Sequence, residues 1–239
     1  MKKLVFGIMT VLSTLTFVWH VGATVYTYDD IYANWPGWYI NPNDEIGNPQ
    51  ITDIKGVSIT VEEGYLRQVV IEMDTPVRIP SGWSGVNPFD SLFINSDWDG
   101  TYSDYQSWNY YVRDYTQNDN SDGSLYSVSS PYTYILAPLP APGWNLRSGH
   151  PAGIDTGITL IPNSGISIVW DGTAPGYYLT YQFPANLIQL GEHFVIGYSE
   201  WCANDVFLTP VPEPLTIGML GLGLVAFALV AGRLRHTKS

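Results

Sequence analysis

Between Thr24 and Pro210 no stretch of the chain carries a sustained 3.6-residue apolar period, and this limits the fold more than any other feature. Short alternating stretches recur instead. Val57 to Val61 alternates with period two, and Tyr65 to Met73 follows it across Glu62-Glu63-Gly64, a hairpin-like turn. Ser91 to Asn95, Trp108 to Arg113, Leu125 to Val128 and Tyr132 to Ala137 read as further strands. Ile166 to Trp170, Tyr177 to Phe183 and His193 to Tyr198 complete the set. Pro184 to Gly191 is short enough for a single helical turn and no more. All 17 tyrosines and eight of the nine tryptophans fall in this segment, which suits pleated, half-buried surfaces. Many short strands with Gly/Pro turns predict an all-β fold, an antiparallel, jelly-roll-like β-sandwich over residues 24–210.

That segment must stand on its apolar core. Cys202 is the only cysteine, so no internal disulfide is available. Of the chain's 10 basic and 22 acidic residues, five basic and one acidic lie in the end segments. The middle therefore holds 5 basic and 21 acidic residues, a net charge of −16. Such a surface repels nucleic acid and anionic lipid, and suits divalent cations or neutral sugars.

The two ends read differently. Met1, Lys2 and Lys3 precede an apolar run from Leu4 to Val18, and Val21-Gly22-Ala23 supplies small residues for cleavage. This is the three-part layout of a secretory signal peptide over residues 1–23, a substrate for signal peptidase. At the other end, Leu215 to Gly232 is 18 residues without a charge, followed by Arg233, Arg235 and Lys238. A helix of that length covers roughly 27 Å, enough to cross a hydrocarbon core. The basic tail (residues 233–239) favours the cytoplasmic side, so the long segment faces outward. Gly221-Leu-Gly-Leu-Val-Ala226 fits a dinucleotide fingerprint, but inside an apolar span it has no strand before it.

Pro212-Glu213-Pro214 stands immediately before the span, and two prolines favour an extended chain there. Motif, span and basic end together resemble the PEP-CTERM sorting signal, covering residues 211–239. The resemblance implies processing near Pro212, Glu213 and Pro214 by an exosortase of a Gram-negative bacterium. It implies transient anchoring in the inner membrane with the β domain periplasmic, then release to the cell surface or extracellular matrix. The series of strands from Asp53 to Tyr198, with its late Phe183-Pro184, Leu190-Gly191 and final strand, resembles the DOMON-like sandwich of family-9 carbohydrate-binding modules. Cys202-Ala-Asn-Asp-Val206 is similar to a recurring ending of PEP-CTERM proteins.

Two loops approximate the start of a calcium-binding loop: Asn95, Asp97, Asp99 with Gly100, and Asn118, Asn120, Asp122 with Gly123. Calcium is the one cofactor the sequence suggests. Both loops depart from the pattern, with an uncharged Asn first and Gln106 or Ser129 where a bidentate Glu belongs. Asx and Gly also dominate ordinary tight turns. Trp98, Tyr102, Tyr105 and Trp108 form an aromatic cluster that could stack on sugar rings, or could pack the core. Trp98-Asp-Gly-Thr101 recurs as Trp170-Asp-Gly-Thr173, read as two similar turns.

No nucleophile elbow is present, and His150, His193 and Cys202 lack metal-ligand spacing. The expectation is a non-enzymatic surface or matrix protein associated with exopolysaccharide. The alternatives are a carbohydrate-binding module, calcium-assisted or not, and a carboxylate-based glycan hydrolase.

Overall fold

The computed structural model describes residues 22–29, 53–74, 90–101, 104–114, 121–137, 150–173, 176–200 and 206–212. The chain runs through β1 (Thr24–Asp29), β2 (Ile54–Glu62), β3 (Tyr65–Met73), β4 (Asp90–Asn95), β5 (Tyr110–Asp114) and β6 (Ser121–Asp122). It continues through β7 (Ser124–Leu136), β8 (Pro151–Leu160), β9 (Ser167–Asp171), β10 (Tyr177–Gln182), β11 (His193–Ser199) and β12 (Val206–Pro212). Two six-stranded sheets form, in the orders β1-β2-β3-β10-β9-β6 and β12-β11-β4-β5-β7-β8. Every pairing is antiparallel. The all-β, sandwich-like architecture follows the period-two reading.

Alternation explains how the sheets meet. Val57, Ile59 and Val61 of β2 are buried, as are Leu92 and Ile94 of β4 and Phe194, Ile196 and Tyr198 of β11. All belong to one apolar cluster between the sheets. Each such side chain contributes roughly 1.5–3 kcal/mol of burial. The β2–β3 hairpin closes through Glu63 (φ 54°) and Gly64 (φ 78°), the paired left-handed conformation of a two-residue turn. The paths from β3 to β4, β5 to β6, β6 to β7, β8 to β9 and β10 to β11 all lead from one sheet to the other. The remaining consecutive strands pair as neighbours within one sheet.

The second sheet carries another apolar cluster on its opposite face, built on Phe93, Trp108, Tyr111, Ile154, Val195 and Val206. The long β7–β8 hairpin covers it. Pairing between β7 and β8 shifts register between Val128 and Thr133. Opposite this irregularity Gly157 has φ 76°, and a Cβ there would meet Pro131 O, Ser129 O and Tyr132 Cβ at 2.7 Å each. Only glycine fits the bend. Beyond it the far half of the hairpin reaches back across β4, β5 and β11. Ser91 Oγ donates to Ala152 O at 2.6 Å, Ser199 Oγ to Pro151 O at 3.0 Å, and Arg113 to Ile154 O at 2.6 Å.

Several elements differ from the sequence reading. Leu125–Val128 and Tyr132–Ala137 were expected as two strands and are one, β7. Strands β1, β6, β8 and β12 were not expected. Pro184–Gly191 makes a turn rather than a helical one: Leu66 N donates to Ile188 O and Leu190 N to Gly64 O, tying the segment to the β2–β3 turn. Ile188 and Leu190 alternate inward, a period that suits an extended return. Strand β12 runs on to Pro212, two residues past Pro210. Phe207 and Val211 alternate into the core, and Val211 is fully buried. Among the described residues no helix is long and apolar enough to cross a membrane, and both Leu4–Val18 and Leu215–Gly232 lie outside them.

Candidate functional site

The aromatic cluster divides into a buried part and an open part. Trp108, expected at a sugar-binding surface, is a core residue with 3% exposure. Its ring lies 5.3 Å from Phe93, and its Nε1 donates to Tyr134 Oη at 2.8 Å. Tyr134 in turn donates to Gln106 Oε1 at 2.8 Å, and Tyr132 to Gln106 O. The folded-over hairpin thus buries Trp108, because Tyr132 and Tyr134 lie on its far half. Stacking on an external ligand is closed to it. Tyr102 lies outside the described residues.

Trp98 remains at the surface, half-buried, in the loop after β4. The loop is held at both ends. Trp98 N donates to His193 O at 3.1 Å, and the indole Nε1 to Thr101 O at 2.6 Å. Tyr105 meets the Trp98 ring edge-on at 5.1 Å, and His193 meets it at 6.1 Å. Trp98, Gly100, His193 and Pro210 line an open depression of about 310 Å³. Its walls come from the loop and from the paired strands β11 and β12, where His193 lies opposite Pro212. Sequence reasoning missed His193 and Pro210 here. Only long-range pairing brings them to Trp98, and no local pattern marks it.

The first calcium-like loop is held by turn hydrogen bonds. Asn95 is buried, donates Nδ2 to Asp104 O at 2.7 Å, and accepts from Asp97 N at 3.3 Å. Its amide thus ties the loop to Asp104 and to its own next turn. Asp99 accepts from Thr101 N at 2.7 Å and Thr101 Oγ1 at 2.5 Å. Those two bonds stabilise the carboxylate and pull its pKa below the usual aspartate value. Asp97 and Asp99 are both exposed. Asp171 repeats the arrangement with Thr173, at 3.0 Å and 2.5 Å, with its pKa lowered for the same reason. The two Trp-Asp-Gly-Thr stretches are therefore two copies of one turn. Among the described residues no three His, Cys, Asp or Glu side chains gather where they could hold a metal ion. Asn118 and Asn120 lie outside the described residues. Asp122 is in β6, with only its backbone described.

Three carboxylates are buried at the far end of the second sheet: Asp90, Asp114 and Glu200, each 1% exposed. Asp90 and Asp114 are cross-strand partners, and Tyr198 Oη donates to Asp90 Oδ2 at 3.0 Å. They occupy the inner face, away from the Trp98 depression, which sits at the other end of β4 and β11. His150 is also buried, with Nδ1 at 3.1 Å from Pro151 O, and Cys202 lies outside the described residues.

Of the processing motif, Pro212 is the last residue of β12, and Glu213 and Pro214 lie outside the described residues. No family model matches the chain, and neither a curated protein nor a solved structure matches it.

Proposed function

We propose that this chain is an exported, non-catalytic surface or extracellular-matrix protein, sorted by an exosortase through its C-terminal signal and associated with exopolysaccharide. One observation carries the reading. The folded unit closes on β12, whose last paired residue, Pro212, is the first residue of Pro212-Glu213-Pro214. Cleavage after this point leaves the core intact, because Val211 is the last core side chain of the strand. A sandwich without disulfides, whose last strand leads directly into a cleavable motif, suits a domain that is anchored, cut and released. The test is a variant with Pro212, Glu213 and Pro214 all replaced by Ala, expressed in the native host. The expected result is retention of the full tail in the membrane fraction. Release indistinguishable from the unaltered chain would remove the motif from the account.

A second reading rests on the Trp98 depression. A half-exposed indole braced by Tyr105 and His193, beside the exposed Asp97 and Asp99, suits a neutral sugar ring. The ring stacks on the indole, and the carboxylates accept its hydroxyl hydrogens. The two antiparallel sheets support extending this to a DOMON-like carbohydrate-binding sandwich. A glycan array probed with the unaltered chain and with Trp98→Ala tests it. Binding lost in the variant supports the reading, and binding by neither form or equally by both refutes it.

A further inference from the structure

We infer that the end of the sandwich carrying the Trp98 depression faces the membrane while the tail is in place, so that the depression is shielded until the tail is removed. The inference rests on the export reading above.

The ladders assign every turn to one of two ends. β1 starts at Thr24, opposite Val61, one residue before the last β2 position, Glu62. The Glu63-Gly64 turn is bonded to Leu190, Gly191 N donates to Ser96 O, and Trp98 N donates to His193 O. His193 pairs with Pro212. Thr24, the Trp98 loop and Pro212 thus share one end. Ring contacts across the sandwich agree: Tyr26 meets Phe194 at 6.3 Å, and Tyr28 meets Phe207 at 6.1 Å. The opposite end holds Asp29 with Gly56, Met73 with Tyr177, Asp171 with Tyr178, Asp90 with Asp114, and Ser199 with Val206. At about 3.3 Å per residue, a strand the length of β11 separates the two ends by roughly 20 Å.

The tether is short. Leu215, the first residue of the apolar run, follows Pro212 by three positions, at most about 10 Å of extended chain. The headgroup layer itself is roughly 5–8 Å thick on each side of the hydrocarbon. Pro212 is therefore held at the membrane surface, and Pro210, two residues back, lines the depression. The apolar N-terminal run leads to Thr24 at the same end. Glu62, Glu63, Asp97, Asp99 and Glu192 are exposed on this end, so anionic lipid would push it outward. The tether length is comparable to a Debye length of about 8–10 Å, so repulsion tilts the domain without freeing this end.

The repeated turn supplies a matched pair of probes. Asp99 at the shielded end and Asp171 at the far end are both exposed and make the same two bonds to a threonine two residues on. The chain from Thr24 to Ser239, as it stands once residues 1–23 are removed, carries Asp99→Cys or Asp171→Cys in a Cys202→Ser background and is reconstituted in phosphatidylcholine vesicles. A bulky polyethylene-glycol maleimide then reads accessibility. The expected result is loss of most labelling at position 99 with position 171 labelled freely. A Gly/Ser linker of about 20 residues inserted after Pro212, spanning roughly 25 Å as a coil, restores labelling at position 99. Equal labelling at both positions in chains that float with vesicles overturns the inference and leaves the export reading standing. Failure of the chain to float with vesicles overturns the span itself, and the inference with it. Each substitution removes the same turn bonds, so unequal melting temperatures would expose a folding artefact, and the linker chain then decides the question.

Discussion

Replacing Trp108 and Trp98 separately by alanine separates core from surface in this aromatic cluster. Trp108 is almost wholly buried, packs on Phe93 and donates to Tyr134. Truncating such a side chain costs about 3–5 kcal/mol. For a domain of this size each kcal/mol lowers the melting temperature by about 2–4 °C, so Trp108→Ala should melt roughly 6–20 °C lower. Trp108→Phe keeps most of the packing and loses one hydrogen bond, about 1–2 kcal/mol. Trp98 is half-buried, and its contact with Tyr105 is worth about 0.5–1.5 kcal/mol. Trp98→Ala should therefore melt within a few degrees of the parent, about 1–6 °C lower. Thermal unfolding of the Thr24–Pro212 segment, followed by near-ultraviolet circular dichroism, reads all three. Equal losses for Trp98→Ala and Trp108→Ala, or a Trp108→Ala domain as stable as the parent, would refute the assignment of a second core under the folded hairpin.

Three further outcomes follow from the same geometry. Gly157→Ala should destabilise by about 2–4 kcal/mol in a urea titration, combining left-handed strain with overpacking against Ser129, Pro131 and Tyr132. Val211→Ala should destabilise by about 1–2 kcal/mol in the same titration, whereas an unchanged urea midpoint would place Val211 outside the core. Asp99 should titrate below the ordinary aspartate pKa of about 3.9, by NMR of its carboxyl carbon. Because the folded value is the lower one, its turn is stabilised above the ordinary pKa, and that stabilisation is lost as pH falls through the folded value. Thr101→Val, which removes the hydroxyl donor, should move the titration back toward the ordinary value.

Sequence patterns carried the strands that alternate strictly. Val57–Val61 and Tyr65–Met73 were legible because one face of each is buried, so period two survives in the residue types. Strand β8 was not, because Pro151-Ala-Gly-Ile154 is buried as a continuous run where the hairpin folds over, and Gly153 and Gly157 interrupt any alternation. β12 carries two prolines, Pro210 and Pro212, and reads as a linker. It is tolerated as an edge strand, where a missing donor on the outer side leaves no ladder bond unmade. In the candidate site, Trp98 and Asp99 were visible as an aromatic-Asx-Gly turn. Trp108 looked the same from composition, and only the far half of β7, arriving from 26 residues away, decides that it is core. His193 and Pro210 were invisible for a related reason: pairing register, not local chemistry, carries them to Trp98.

The central claim is that a folded β domain is anchored, then cut where its last strand meets Pro212-Glu213-Pro214. The intact mass of the extracellular form, purified from the native host, tests this most directly. The account predicts a chain that begins at Thr24 and ends at or within a residue or two of the motif, lacking Leu215–Gly232 and the basic tail. A released chain that still carries Arg233 to Ser239 would contradict it.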